Sequence, residues 1–145
     1  MIYTCNDKLP VKENNYQYYF LAGSIDYQSK TPWRKTIIEK SSKRIHFFDP
    51  TNKNHHNLSD TEMKNQIEWE LNTLELSDKI ILNFLGYSKS PISLVEMGLY
   101  AQSGKLIIIC PPEFYQNRYM YPLASKYNIP LFKNLCEFLD SFQLY

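Results

Sequence analysis

Two carboxylates stand out by their surroundings. Glu96 falls in the run Ser90-Pro91-Ile92-Ser93-Leu94-Val95-Glu96-Met97-Gly98, and Glu70 falls one segment earlier, in Glu68-Trp69-Glu70-Leu71. Ser90 and Pro91 read as a helix start, with the serine placed to cap and the proline at the first helical position. Glu96 then lies ~9 Å along the axis from Ser90, at ~1.5 Å per residue. Ile92, Val95 and Leu99 form the expected core face of this helix, with Glu96 beside it. The positive end of a helix favours an ionised carboxylate, an effect that fades beyond the first turn. In a dry pocket such a carboxylate can attack a sugar carbon or stabilise a developing oxocarbenium ion. It can equally be a solvated helix charge. Gly98 costs about 1 kcal/mol relative to alanine inside a helix, which points to close approach of another backbone. Glu70 lies off the face expected from Ile67 and Leu71. It is either a solvated charge or a proton donor whose role is separated from that of Glu96 by a pKa difference.

These groups need elements to position them. Residues 18–22 read as a buried strand stopped by Gly23 and Ser24, and residues 32–41 as a helix with Pro32 in its first turn. Residues 44–48 form a second strand ended by Asp49-Pro50. Residues 60–77 form a long amphipathic helix, with Met63, Ile67, Leu71 and Leu74 as its core face. Ser59 and Glu62 make a capping box at its start. Strands at 79–84 and 106–110 flank the helix at 90–103, which Gly104 ends. A helix at 114–127, an edge strand at 129–132 that tolerates Pro130, and a helix at 134–142 complete the chain. Residues 1–15 carry no period and read as a loose lead-in.

Alternation of strand and helix predicts an α/β fold, a doubly wound parallel sheet of five strands in flavodoxin-like order 2-1-3-4-5. Ligands in such sheets bind beyond the carboxyl ends of the strands, at the switch point between the first and third. That rule gathers Gly23 and Ser24, then Asp49 and Asn52, then the segment from Gly86 to Glu96.

The 145 residues suit one domain, and 43% apolar with 21% charged residues is ordinary for a globular chain. A formal net charge of +1 gives no electrostatic case for polymeric nucleic acid or an anionic membrane. No apolar run approaches the ~20 residues of a membrane span, and the first residues do not read as a signal peptide. The expected setting is the reducing cytoplasm. Cys5, Cys110 and Cys136 match neither a disulfide framework nor a zinc knuckle. His46, His55 and His56 lack metal-ligand spacing, and His55-His56 reads as a solvated loop pair. Trp33 and Trp69 either stack on a flat ring or fill the core.

Tyr19-Phe20-Leu21-Ala22-Gly23-Ser24-Ile25, Phe48-Asp49-Pro50, Trp69-Glu70-Leu71 with Ser77-Asp78, and the run from Ser90 to Gly98 occur in this order. Together they resemble the nucleoside 2-deoxyribosyltransferase family over most of the chain. The resemblance implies a flavodoxin-like fold and exchange of bases on 2-deoxyribose through a covalent deoxyribosyl-enzyme. Related N-glycosidases hydrolyse nucleoside monophosphates. Neither activity needs a metal or an organic cofactor. Glu96 falls on the family's nucleophile, Glu70 on the acidic residue that serves the base, and Tyr19 on a tyrosine near the nucleophile. An alignment one residue along would place Phe20 there instead.

Two departures matter. The transferases carry an acidic residue six positions before the nucleophile, where it holds the sugar's 5'-hydroxyl. Here that position is Ser90, as in the monophosphate N-glycosidases, and a hydroxyl at a helix start accommodates a phosphate. Against that, the glycine-rich loop of the N-glycosidases is replaced by Ile25-Asp26-Tyr27-Gln28.

The resulting expectation is a small-molecule enzyme that cleaves the N-glycosidic bond of (deoxy)nucleosides and transfers the sugar to another free base. Glu96, Glu70 and Tyr19 would be catalytic, and Gly23, Ser24, Asp49, Ser90, Trp33 and Asn52 would bind substrate. The alternatives are hydrolysis of nucleoside 5'-monophosphates and a nucleotide-sensing module without chemistry. A homo-oligomer is expected, in which Tyr145 enters a neighbouring subunit's site or simply packs.

Overall fold

A computed structural model describes residues 1–26 and 29–142. Tyr145, expected to reach a neighbouring site, lies outside the described residues.

The strands are β1 (Ile2–Tyr3), β2 (Gln17–Gly23), β3 (Ile45–Phe48), β4 (Lys79–Asn83), β5 (Leu106–Ile109) and β6 (Leu131–Phe132). All pairings are parallel, in the order β1-β3-β2-β4-β5-β6. The last five strands reproduce the expected order 2-1-3-4-5. The addition is β1. Residues expected to be a loose lead-in place Ile2 and Tyr3 beside Phe47 and Phe48. Two residues are too few for a periodic signal, and the pairing rests on backbone hydrogen bonds from Phe47 to Met1 and from Asp49 to Tyr3.

The helices are α1 (Trp33–Glu39), α2 (Asp60–Leu76), α3 (Pro91–Tyr100), α4 (Asn117–Tyr127) and α5 (Leu135–Ser141). On one face of the sheet, Phe20, Ile80, Leu82 and Ile108 pack with Trp69 and Leu74 of α2, Met97 of α3 and Met120 of α4. On the other, Leu21, Ile81, Ile107 and Ile109 pack with Trp33 and Ile37 of α1 and Phe138 of α5. The sheet is therefore covered on both sides, and β4 and β5 are buried nearly throughout, as parallel strands require. The capping box of α2 forms as expected, with Ser59 and Glu62 bonded reciprocally. Among the described residues, no helix is long and apolar enough to cross a membrane.

Two helix faces differ from expectation. On α3 the expected core residues Ile92, Val95 and Leu99 are 63%, 57% and 61% exposed, while Ser93, Glu96 and Met97 are buried. On α2, Ile67 and Leu71 are exposed, and Gln66, Trp69, Thr73 and Leu74 are buried. Periodicity finds an apolar stripe but not what lies opposite it. Here the inward sides of both helices also line a polar crevice. At Gly98 an added Cβ would meet nothing within 4 Å, so the expected backbone approach does not occur among the described residues.

Candidate active site

A pocket of about 420 Å³ opens beyond the carboxyl ends of the central strands, between α2 and α3. Its back wall is the end of β2. Gly23 has φ +117°, and a Cβ there would lie 2.2 Å from the Asn83 carbonyl oxygen. Only glycine allows β2 and β4 to close at this point. The next residue, Ser24, donates its backbone N–H to that carbonyl at 2.8 Å. Its hydroxyl accepts from the Leu85 N–H at 2.9 Å and lies 2.7 Å from the Ser90 hydroxyl.

Ser90 precedes α3 but does not cap it with its side chain. Its backbone is left-handed, at φ 46° and ψ 53°. For a residue other than glycine that conformation costs on the order of 1–3 kcal/mol. The Ser90 hydroxyl instead bonds the hydroxyls of Ser24 and Ser88, each at 2.7 Å. Ser24, Ser88 and Ser90 all line the pocket. The strained turn thus joins three hydroxyls from two loops into one chain.

Glu96 comes off the inward side of α3 and is 8% exposed. Its Oε2 is buried and has no hydrogen-bond partner among the described residues. Burial pushes its carboxyl up to about 8; the Glu70 carboxylate adds to the rise and the Arg34 guanidinium opposes it. Glu70 lies on the inward side of α2, and its Oε1 accepts from Gln66 Nε2 at 3.0 Å. Burial also raises Glu70, against the opposing effects of Gln66, His55 and Arg34. An ionised Glu96 was the sequence expectation. Burial favours the protonated form instead.

Gln66 fixes the second wall. Its Oε1 accepts from Asn52 Nδ2 at 2.8 Å, while Asn52 Oδ1 accepts from the Asn54 N–H. Arg34 anchors the floor. Its guanidinium donates to the carbonyls of Leu21, Gly23 and Ser24 at 3.0–3.2 Å and lies 3.7 Å from Asp49. It is therefore a buried cation that holds the end of β2 and acts on both carboxylates through its field.

The structure brings Gly23, Ser24, Asn52, Glu70, Ser90 and Glu96 to one pocket. It does not bring Tyr19, Trp33 or Asp49 to its walls. Tyr19 packs with Leu21 on the opposite face of the sheet, and its hydroxyl donates to Gln17 at 3.0 Å, at the far end of β2. Side chains alternate along a strand, so the neighbouring Phe20, without a hydroxyl, takes the helix α3 side. Trp33 is buried beneath the β2–α1 loop, where its indole N–H donates to the Ser24 carbonyl. Asp49 receives the N–H and hydroxyl of Thr51 and faces Arg34, so it shapes the turn.

Sequence reasoning missed Arg34, Gln66 and Ser88, and placed His55 and His56 in a loop without linking them to the pocket, whose wall they join. Gln66 left one usable signal: it sits four residues before Glu70 on the same helix, where side chains meet. Arg34 left none, because its partners are carbonyls ten or more residues away in sequence.

No curated protein matches this chain closely enough to be named as a relative. Residues 17–114 match the family described as nucleoside 2-deoxyribosyltransferase like, a span that starts with β2 and contains Glu70, Ser90 and Glu96. With about two thirds of its residues inside that match, and with a parallel sheet in the order the resemblance implied, the chain belongs to the nucleoside 2-deoxyribosyltransferase-like family.

Proposed function

We propose that the chain is an enzyme that breaks the N-glycosidic bond of (deoxy)nucleosides and transfers the sugar to another base. One observation carries this reading: Glu96 is a buried carboxyl with a free oxygen, set beside a second carboxyl in a pocket large enough for a base or a sugar. Attack by Glu96 Oε on the anomeric carbon forms an ester as the C–N bond breaks. The bonding electron pair leaves with the base, which takes a proton from Glu70. The acceptor base then attacks the same carbon and returns its proton to Glu70, and Glu96 departs as a carboxylate. Because burial favours the protonated form of Glu96, that proton must leave before attack. Its transfer to Glu70 would ready both groups at once.

A second reading has its own support. Ser90, which falls six positions before Glu96 where the resemblance gives a transferase its carboxylate for the 5'-hydroxyl, is linked to the hydroxyls of Ser24 and Ser88. Hydroxyls accommodate a 5'-phosphate where a carboxylate would repel it, and water would then replace the acceptor base. Chromatography of the protein with deoxynucleosides, nucleosides and their 5'-monophosphates, with and without free adenine, separates the two. Product that requires the acceptor base establishes transfer. Free base from monophosphates alone establishes hydrolysis, and binding without any base release would leave a nucleotide-sensing module.

We also propose a homo-oligomer. Ile92, Val95 and Leu99 form an exposed row on α3, and Ile67 and Leu71 extend exposed apolar surface onto α2. The α3 row carries no charge, so a second copy can meet it without like-charge repulsion, and Gly98 leaves room there for a partner backbone. Sedimentation of the wild type against Val95→Lys tests this: the variant should run as a monomer, and an unchanged mass would refute this interface.

A further inference from the structure

The second wall of the Glu96 pocket contains a hydrogen-bond chain whose direction is fixed by backbone groups. The Asn54 N–H can only donate, and it donates to Asn52 Oδ1 at 2.9 Å. The other half of the Asn52 amide, Nδ2, therefore faces Gln66 and donates to its Oε1 at 2.8 Å. Gln66 must then turn its Nε2 the other way. There it meets two acceptors: Glu70 Oε1 at 3.0 Å and, at 3.4 Å, the Pro50 carbonyl, which can only accept. Gln66 is buried and stands one turn before Glu70 on the inward side of α2. No other orientation of its amide keeps these bonds, so the group it shows to Glu70 is a donor.

An amide N–H favours a carboxylate over a carboxylic acid. The charged and titratable groups around Glu70 come from other segments: Glu96 on α3, Arg34 on α1, His55 in the β3–α2 loop and Cys5 between β1 and β2. Burial raises Glu70, and Gln66 opposes that rise ahead of His55 and Arg34. Burial and then the Glu70 charge raise Glu96. The reaction as read above needs one proton between the two carboxyls, because Glu96 must be ionised to attack while Glu70 carries a proton to the base. A second proton would silence the nucleophile. We propose that Gln66, oriented by Asn52, is a positioning residue that keeps the pair at one shared proton, by resisting protonation of Glu70 while Glu96 holds its own. This role rests on the reading of Glu96 as nucleophile and Glu70 as proton carrier.

The pH profile of kcat/KM tests it. Gln66→Met fills similar space without a donor. The acid limb, where the pair takes up its second proton, should move up by about one pH unit, the worth of one hydrogen bond to a charged group. Loss of packing alone would lower the rate by one factor at every pH, and a limb left in place would overturn the proposal. Asn52→Asp acts from the far side of the chain. It keeps an acceptor for Asn54 but turns an oxygen to Gln66, so Gln66 must present Oε1 to Glu70. The limb should again move up, and by less in a Gln66→Met background. Equal movement in both backgrounds would reduce the effect to the new charge and refute the relay. Carbon-13 NMR of carboxyl-labelled glutamate, assigned with Glu70→Gln, follows the Glu70 titration without substrate. Its midpoint should rise in Gln66→Met by the same amount, and an unchanged midpoint in a variant with a wild-type melt overturns the proposal. That titration needs no turnover, so a protein that released no base would sink the enzyme reading and leave the Gln66 test intact. Should Gln66→Met fail to fold, Gln66→Ala is read by the same criteria.

Discussion

The two sides of α3 reverse the usual order of polar and apolar. The side toward the sheet carries Ser93 and Glu96 with Met97, and the side toward solvent carries Ile92, Val95 and Leu99. β5 behaves in the ordinary way, with four apolar residues all buried between two layers. The difference lies in what each element faces. β5 has hydrophobic neighbours on both sides. The inward side of α3 borders a cavity that keeps room for a ligand, and the strands beneath supply enough apolar surface to hold the helix through Met97 and Ala101. Burial of Glu96 raises its proton affinity, and exposure of the aliphatic row leaves surface for a second copy.

The largest expected effect comes from the polar side. Glu96→Gln should lower base release on the order of 10⁴-fold or more, as loss of a nucleophile does. In the wild type, kcat/KM should fall as pH rises through about 8, because loss of the proton held by Glu96 removes the one that Glu70 must pass to the departing base. A flat profile over that range would separate Glu96 from the chemistry.

Stability should carry the same signature. Folded Glu96 keeps its proton to about pH 8, whereas the unfolded group loses it near 4.3. The folded state binds more protons across this window, so Glu96 lowers stability as pH rises through it, by up to roughly 1.4 kcal/mol per unit. Urea melts of Glu96→Gln should show a weaker decline than those of the wild type between those values. Equal slopes would place Glu96 in a wetter site than the structure gives it.

The apolar side should respond differently. Val95→Lys together with Leu99→Lys should leave the melt within about 0.5 kcal/mol of the wild-type monomer, because both positions are exposed. Association should weaken by at least about 10²-fold, since each buried aliphatic contributes about 1.5–3 kcal/mol. A mass unchanged across concentration would break the comparison on this side.

Smaller effects follow at the flanks. Glu70→Gln should reduce the rate by about 10²-fold, the lower end of general acid contributions, with binding changed less. His46 is buried against Tyr16 and Tyr18, with its Nδ1 unbonded among the described residues, and burial lowers its pKa. The unfolded histidine binds a proton first, so this group's contribution falls away as pH drops below about 6.5. His46→Phe should reduce that acid sensitivity, measured as melting temperature between pH 7 and 5.

The strands were legible because apolar runs bounded by glycine, proline and aspartate admit few other readings. The α2 capping box was legible because both partners lie within four residues. Tyr19 was not, because a strand has a period of two and one residue of slip moves a side chain to the other face. The core face of α2 was misread for a related reason. Ile67 and Leu71 drew the expected core face to the wrong side of α2, while Gln66, Trp69 and Thr73 make the real one.

By itself, then, the sequence determined the order and type of the elements after β1, the parallel sheet, and the two glutamates that the fold brings to one pocket. Local propensity and hydrophobic runs are properties of neighbouring residues and survive without a fold. Tertiary structure decided which side of each helix faces inward, that the charge of Arg34 reaches both carboxylates, that Ser90 joins Ser24 and Ser88, and that burial raises the proton affinity of Glu96. Those outcomes depend on groups brought together from separate segments, as Ser24 and Ser90 are across 66 residues, and on the water their packing excludes.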